Sequence, residues 1–262
     1  MLVLLPPSES KAAPAKRGRA VALEDLSFPG LTDLRKQVLE ALITTSARPD
    51  ALELLGVGAS LAGEVARNLT LHSAPARPAH EVYTGVLYDA LDWPALSPAA
   101  RRRGASRVVV ISALWGALRP GDRVPSYRLS MDGELPALGP LARHWRTELP
   151  GVLTEAAGRR GVIVDCRSGP YVAAAPVTSF PTGLADRTVA VRVLRESAGK
   201  RSVVSHLAKH TRGEVTRYLL ERGADPSSPA ELRDLVGERW PAELTGPARA
   251  GAAWTLDVVL RA

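Results

Sequence analysis

The sequence has a single cysteine, Cys166, among its 262 residues. One thiol cannot close an intrachain disulfide, so nothing points to an oxidising compartment, and the expected location is the cytoplasm. No apolar run approaches the roughly 20 residues that a membrane-spanning helix needs, so no membrane partner is expected. The opening MLVLLPPSESK is apolar for only five residues and has no basic region before them. That pattern argues against a secretory signal and reads as a first β-strand running into a loop. Internal repeats and heptads are missing, and no long linker divides the chain. What remains is one domain over residues 1–262, long enough to bury a sizeable core.

The hydrophobic share, 45%, is ordinary for a globular protein. Charge is less even: 34 Lys and Arg stand against 27 Asp and Glu, a net +7. The excess is either an even basic surface or a groove for phosphates, and composition alone does not separate the two.

Apolar runs predict strands at Leu2–Leu5, Arg107–Ser112, Gly161–Asp165, Thr188–Leu194, Ser202–His206 and Trp254–Leu260. Helical spacing fills Leu31–Thr44, where Leu31, Leu34, Val38, Leu39 and Leu42 share a face, and also Leu141–Ala157 and Ala208–Arg222. Gly223 is placed to cap the last of these, and Ser-Ser-Pro opens a further helix over Ser228–Val236. Residues 10–22 and 72–80, rich in Ala, Pro and basic residues, read as surface loops. Strands alternate with helices, so the class is mixed α/β (α+β).

Three predicted strand ends carry polar loops. Leu2–Leu5 leads to Ser8, Glu9 and Lys11; Val108–Ile111 leads to Trp115, Arg119, Tyr127 and Arg128; Val162–Val164 leads to Asp165, Arg167, Ser168 and Tyr171. Ligands of α/β sheets sit beyond the carboxyl ends of strands, so these loops are expected to converge on a cleft. A carboxylate at Asp165 would orient a water or stabilise a cationic sugar in cleavage of a glycosidic bond. Tyr83, Trp115, Tyr127 and Tyr171 are candidates to stack on a base, although each type is more often core than site. Asp165 and Arg167 alternate in an extended segment and are expected to point to opposite sides.

The stretch ELLGVGASLAGEVARN, Glu53 to Asn68, ends an apolar run at Gly56-Val57-Gly58 and then starts a small-residue helix. One reading is a turn between two helices. The other is a hairpin, over about residues 48–68, whose glycines let a phosphate approach the N–H groups of Gly58, Ala59 and Ser60, with Arg67 meeting the backbone. Lys209 and Arg212 share a helical face and suit anion binding; Arg217 is expected at the surface. His206, His210 and Glu214 recur every four residues, a spacing that also suits a plain polar face, and no metal is expected there. Cys166 follows an apolar strand and reads as a small buried hydrophobe.

In order, MLVLLPPSESK, VYTGVLYDAL (82–91), ISALWGALRPGDRVPSYRLSM (111–131), VIVDCRSGPY (162–171) and AKHTRGEVTRYLL (208–220) resemble the blocks of the YaaA family of peroxide-stress proteins. Arg119-Pro120 with Tyr127-Arg128-Leu129, and then Lys209-x-x-Arg212-Gly213, are the most specific. The resemblance implies one α/β domain of unusual topology with a helix-hairpin-helix and a positively charged cleft. It implies binding to duplex or branched DNA, and a link to free iron and oxidative DNA damage. It brings no settled activity and no cofactor. It favours an anion-binding role for Lys209 and Arg212, and in the family an aromatic residue and a lysine stand where this chain has its two histidines. One block departs: where the family carries an acidic pair before the tyrosine, this chain has Gly169-Pro170, and Asp165 and Arg167 appear nearby.

Two functions follow as expectations. The first is sequence-independent DNA binding in the peroxide-stress response. The second is an enzyme acting on a nucleobase or nucleoside N-glycosidic bond, with Asp165 or Lys209 as the catalytic group. Iron sequestration fits worst, because one cysteine and scattered histidines are poor iron ligands.

Overall fold

Five parallel strands, each flanked by crossovers, make the spine of the molecule. In this computed structural model, which describes residues 1–197 and 199–261, the strands are β1 (Leu2–Leu5), β2 (Arg77–Pro78), β3 (Val108–Ser112), β4 (Gly116–Leu118), β5 (Arg123–Val124), β6 (Glu134–Leu135), β7 (Gly139–Pro140), β8 (Ile163–Asp165), β9 (Thr188–Ser197), β10 (Lys200–Val203), β11 (Ala242–Thr245) and β12 (Trp254–Arg261). The main sheet runs β11-β12-β9-β8-β1-β3-β4, with β10 on β9. Pairings from β12 to β3 are parallel, and β11, β4 and β10 add antiparallel edges. Every residue of β1, β3 and β8 is buried, because both faces are covered; such strands read as continuous apolar runs. Pro6 and Pro7 end β1, since proline has no N–H for the ladder.

The helices are α1 (Thr32–Ser46), α2 (Ala51–Leu54), α3 (Ala62–Arg67), α4 (Ala79–Val82), α5 (Val86–Leu91), α6 (Pro98–Arg107), α7 (Leu141–Trp145), α8 (Leu149–Ala157), α9 (Gly169–Ala174), α10 (Thr182–Ala185), α11 (Ser205–Arg222) and α12 (Pro229–Gly237). None among the described residues is long and apolar enough to cross a membrane. The expected helix Leu141–Ala157 is two helices. Pro150 lies in the first turn of α8, lacks an N–H and cannot continue α7. The expected strand Ser202–His206 is also corrected. β10 stops at Val203, and the Ala208 amide bonds the Val204 carbonyl at 2.8 Å, which draws Ser205 and His206 into α11. Gly223 caps α11 in the left-handed region, with its amide on Leu220 and that of Ala224 on Leu219. The Ser228 hydroxyl accepts from the Glu231 amide to start α12.

Two buried devices hold the sheet to its cover. Arg35 of α1 is fully buried and donates to the carbonyls of Trp115 (3.0 Å), Ser27 (2.7 Å) and Ala117 (2.8 Å), which clamps the β3–β4 turn. Burial pulls its guanidinium down to about 10, opposed by Asp122. Gly213 lets α11 lie on α5: a Cβ there would sit 2.2 Å from the Leu87 carbonyl oxygen and 2.9 Å from Ala90 Cβ.

Candidate functional site

The C-terminal ends of β1, β8 and β3 lie side by side; the loops after β1 and β8 meet in one cleft, and the loop after β3 touches it only where Arg128 and Ser130 bond Glu9. One cleft of about 380 Å³ opens between the Pro6–Ser10 loop, the start of α5, the Ser168–Tyr171 turn and one wall of α11. Its size falls in the roughly 300–1,000 Å³ range of small-ligand sites. Ser8, Ser168, Tyr171, Lys209 and Arg212, all expected in the site, line it. A second cleft of about 610 Å³ adjoins it at Glu9, and there Arg128 faces Glu53–Val57.

The α11 wall is cationic. Lys209 is exposed and Arg212 half-buried, and neither forms an ion pair among the described residues. Arg212 spends Nε (3.1 Å) and Nη2 (2.9 Å) on the Val191 carbonyl, which fixes the side chain and leaves Nη1 free of hydrogen bonds. Other arginines are committed to acids; Arg217, for example, pairs with Asp92 at 2.8 Å.

Glu9 is the carboxylate at the floor. Its Oε1 accepts from Ser130 Oγ and from the Tyr171 hydroxyl, both at 3.2 Å. Its Oε2 is buried with no hydrogen-bond partner, and Arg128 Nη2 lies 3.8 Å away. Arg128 is pinned: its amide donates to Asn68 Oδ1 and its carbonyl accepts from Asn68 Nδ2, both at 2.9 Å, and its Nη1 donates to the Glu9 carbonyl at 3.2 Å. Burial and the neighbouring Glu9 carboxylate drive the Tyr171 phenol well above its ordinary range, so it stays a donor. Glu9 sits between Ser8 and Ser10 in a loop of polar residues, and only the tertiary contacts distinguish it from them.

Behind this floor lies Lys11. Its ammonium donates to the Ser8 carbonyl at 3.0 Å and sits 4.1 Å from the centre of the Tyr127 ring. Tyr127 bonds Ser112 (2.7 Å) and Tyr83 (3.2 Å), a buried chain of hydroxyls. Burial pushes the Lys11 amine down to about 8, with Glu9 resisting and Arg128 assisting. Burial likewise raises the Tyr83 phenol to about 12. Lys11, Tyr83 and Tyr127 therefore support the cleft from behind and do not line it.

Lys11→Met is expected to be more stable than the parent at neutral pH. The folded value lies below the ordinary 10.5, so the unfolded chain holds the proton more tightly. The cost of burying the ammonium is full below the folded value and fades as pH climbs towards the unfolded one. Urea unfolding at about pH 7 and about pH 10 should show the gap between the two proteins closing; a constant gap contradicts the burial of this charge.

Four expected cleft residues lie elsewhere. Asp165 and Arg167 do not point to opposite sides. The chain leaves β8 at Asp165, and Arg167 folds back to grip it with Nε (2.9 Å) and Nη2 (2.7 Å), while Nη1 reaches the Ala175 carbonyl. Both are buried, and the Asp165 carboxylate also accepts the Arg167 amide, so neither faces the cleft. Trp115 is fully buried, edge-on to Tyr127. Arg119 follows β4, which reverses direction, so it returns to the start of β3; there it bonds the Val108 carbonyl at 3.2 Å and covers the Phe28 ring.

The Glu53–Asn68 stretch forms two short helices. Gly56 closes α2 in the left-handed region (φ 63°), with its amide on Glu53 and that of Val57 on Leu52, both at 2.9 Å. Gly58, Ala59 and Ser60 are exposed, and the Leu61 amide is the one that returns to the Gly58 carbonyl. Their N–H groups are those a helix start leaves unpaired. The inward side is acidic, with Glu9, Glu53, Asp132 and Glu134 around Arg128, so an anion would meet only the outer turn. Arg67 is half-buried on α3.

His206 is exposed and His210 pairs with Glu214 at 3.4 Å. No group of three or more His, Cys, Asp or Glu residues fit to hold a metal ion occurs among the described residues. Cys166 is buried, and burial pushes its thiol up to about 12.

A family model described as peroxide stress protein YaaA matches residues 1–243. A UPF0246 protein of Streptomyces coelicolor is 50% identical, over 99% of this chain and 98% of its own length. One from Corynebacterium efficiens is 39% identical, over 90% of this chain and 91% of its own. A third, from Ruegeria, is 26% identical, over 95% and 98%. The family model thus spans every residue that lines the cleft, from Pro6 to Arg212, and the chain belongs to the YaaA family of peroxide stress proteins.

Proposed function

We propose that this protein binds DNA through its phosphates, without reading sequence, and that it does so in the peroxide-stress setting the family's description names. The observation that carries the reading is the α11 wall: Lys209 and Arg212 line one cleft with no acidic partner among the described residues. Guanidinium and ammonium groups left unpaired in a protein of net +7 suit a polyanion. The outer turn of the hairpin, Gly58 to Ser60, supplies a second contact, in the manner of a helix-hairpin-helix, through exposed amides. A Cβ at Gly58 meets nothing within 4 Å, and its backbone is extended, so Gly58→Val leaves the fold intact and only blocks close approach. Gel-shift titrations are expected to show Gly58→Val and Arg212→Glu weakening binding alike on unrelated duplexes. Unchanged affinity in both folded variants would overturn the proposal.

A second reading is favoured by the Glu9 floor. A carboxylate oriented by two hydroxyls beneath a cleft with tyrosine walls is a layout for hydrolysis of a nucleobase N-glycosidic bond. Of the two catalytic groups expected from sequence, Lys209 reaches that cleft and Asp165 does not. Mass spectrometry of lesion-bearing DNA and a nucleoside panel tests it; no base released from any of them counts against it.

A further inference from the structure

Two buried polar atoms meet no partner where the two clefts join: the acceptor Glu9 Oε2 and the donor Arg128 Nε. Unpaired buried groups are costly, and native structures hold few of them, so each calls for a reason. Here both side chains are held in place. Ser130 and Tyr171 fix the other Glu9 oxygen, and Asn68 fixes the Arg128 backbone. The Glu9 side chain is 42% exposed, so its carboxylate is within reach of a ligand in the cleft.

We infer that Glu9 and Arg128 read the edge of a nucleobase, the carboxylate accepting a ring N–H and the guanidinium donating to the neighbouring acceptor. Glu9 Oε2 lies 3.8 Å from Arg128 Nη2, and Glu64 lies 3.7 Å from Nη1, so the carboxylate and the guanidinium are neighbours without a hydrogen bond between them, and together they complement a ligand that carries a donor beside an acceptor. The same cleft offers a place for the ring. Tyr88, held by its hydroxyl on the Pro6 carbonyl at 2.7 Å, lines it together with Tyr171 and Val203. Val203, 67% exposed, adds an apolar edge at the cleft mouth. Lys209 and Arg212 on the opposite wall then take the phosphate, so the occupant is a nucleotide, either free or turned out of a strand. The inference rests on the phosphate role proposed for these two residues.

Glu9 lies in the first polar loop, within the MLVLLPPSESK block, and among the carboxylates around the cleft it alone has a buried oxygen without a hydrogen-bond partner. Glu9→Gln keeps size and shape but puts an amide where the free oxygen stood. Calorimetry with uridine 5′-monophosphate, 3-methyluridine 5′-monophosphate and ribose 5-phosphate separates the contributions. Wild type is expected to prefer the first over the second by roughly 10- to 100-fold, the worth of one hydrogen bond to a charged group. Glu9→Gln should remove that preference and leave ribose 5-phosphate binding as it was. Equal binding of the two nucleotides by wild type, or an unchanged preference in Glu9→Gln, overturns the inference even where ribose 5-phosphate still binds. Loss of ribose 5-phosphate and of duplex DNA binding would instead count against the phosphate reading beneath it. The methylated nucleotide tests the same contact without any mutation, so a variant that folds poorly does not spare the inference.

Discussion

Gly213→Ala is expected to cost about 3 kcal/mol of folding stability, a large share of what a domain has. A Cβ at this position would lie 2.2 Å from the Leu87 carbonyl oxygen, a backbone atom that cannot swing aside. Relief requires α11 to move off α5, and that moves Lys209 and Arg212 away from the cleft wall formed by the start of α5. The glycine of the Lys-x-x-Arg-Gly motif is therefore a packing requirement, and the cations beside it depend on that packing. Gly63→Ala gives the contrast. Gly63 lies within α3 with open space around its Cβ position, so alanine there is expected to gain about 0.5–1 kcal/mol. Urea unfolding of the three proteins should place them on opposite sides of the parent. A Gly213→Ala protein as stable as wild type would mean that the two helices do not meet as described.

Arg167→Ala is the second large effect, a loss of about 3–5 kcal/mol, because it leaves the Asp165 charge buried without its partner. Arg167 closes both carboxylate oxygens and ties the Ala175 carbonyl after α9 to the end of β8. The double variant Asp165→Asn, Arg167→Met removes both charges and should recover much of the loss. If the single variant loses under about 1 kcal/mol, the pair is not closed off from water as it is here. Activity and binding assays on Asp165 variants alone would confound this unfolding with any loss of chemistry, so stability has to be measured alongside them.

The sheet was legible because strands buried on both faces read as unbroken apolar runs, as in Leu2–Leu5 and Val108–Ser112. Gly223 and Ser228 marked helix ends for equally local reasons. The site was legible only in outline. Ser8 and Tyr171 meet because loops from neighbouring parallel strands must leave at one edge, and α11 lays Lys209 and Arg212 against them. Arg119 and Trp115 were misplaced because the Gly116 turn reverses the chain, a consequence of a left-handed residue against the Trp145 ring. Period-two alternation failed for Asp165 and Arg167 because the strand ends between them. Arg35 and Asn68 carry no local signal at all: a buried charge or amide looks, in sequence, like any surface one. Glu9 stood in a polar loop at a strand end, but its bonds to Ser130 and Tyr171 are tertiary and have no signature there.

The central claim is that Lys209 and Arg212 hold phosphate. Fluorescence anisotropy of a labelled duplex, titrated with wild type and with Lys209→Ala, Arg212→Gln over a range of salt, tests it most directly, with circular dichroism confirming that the variant is folded. Wild-type affinity is expected to fall steeply with salt, and the double variant should bind more weakly with a slope of log K against log salt shallower by about 0.9 for each phosphate contact removed. Equal slopes and equal affinities would contradict the account.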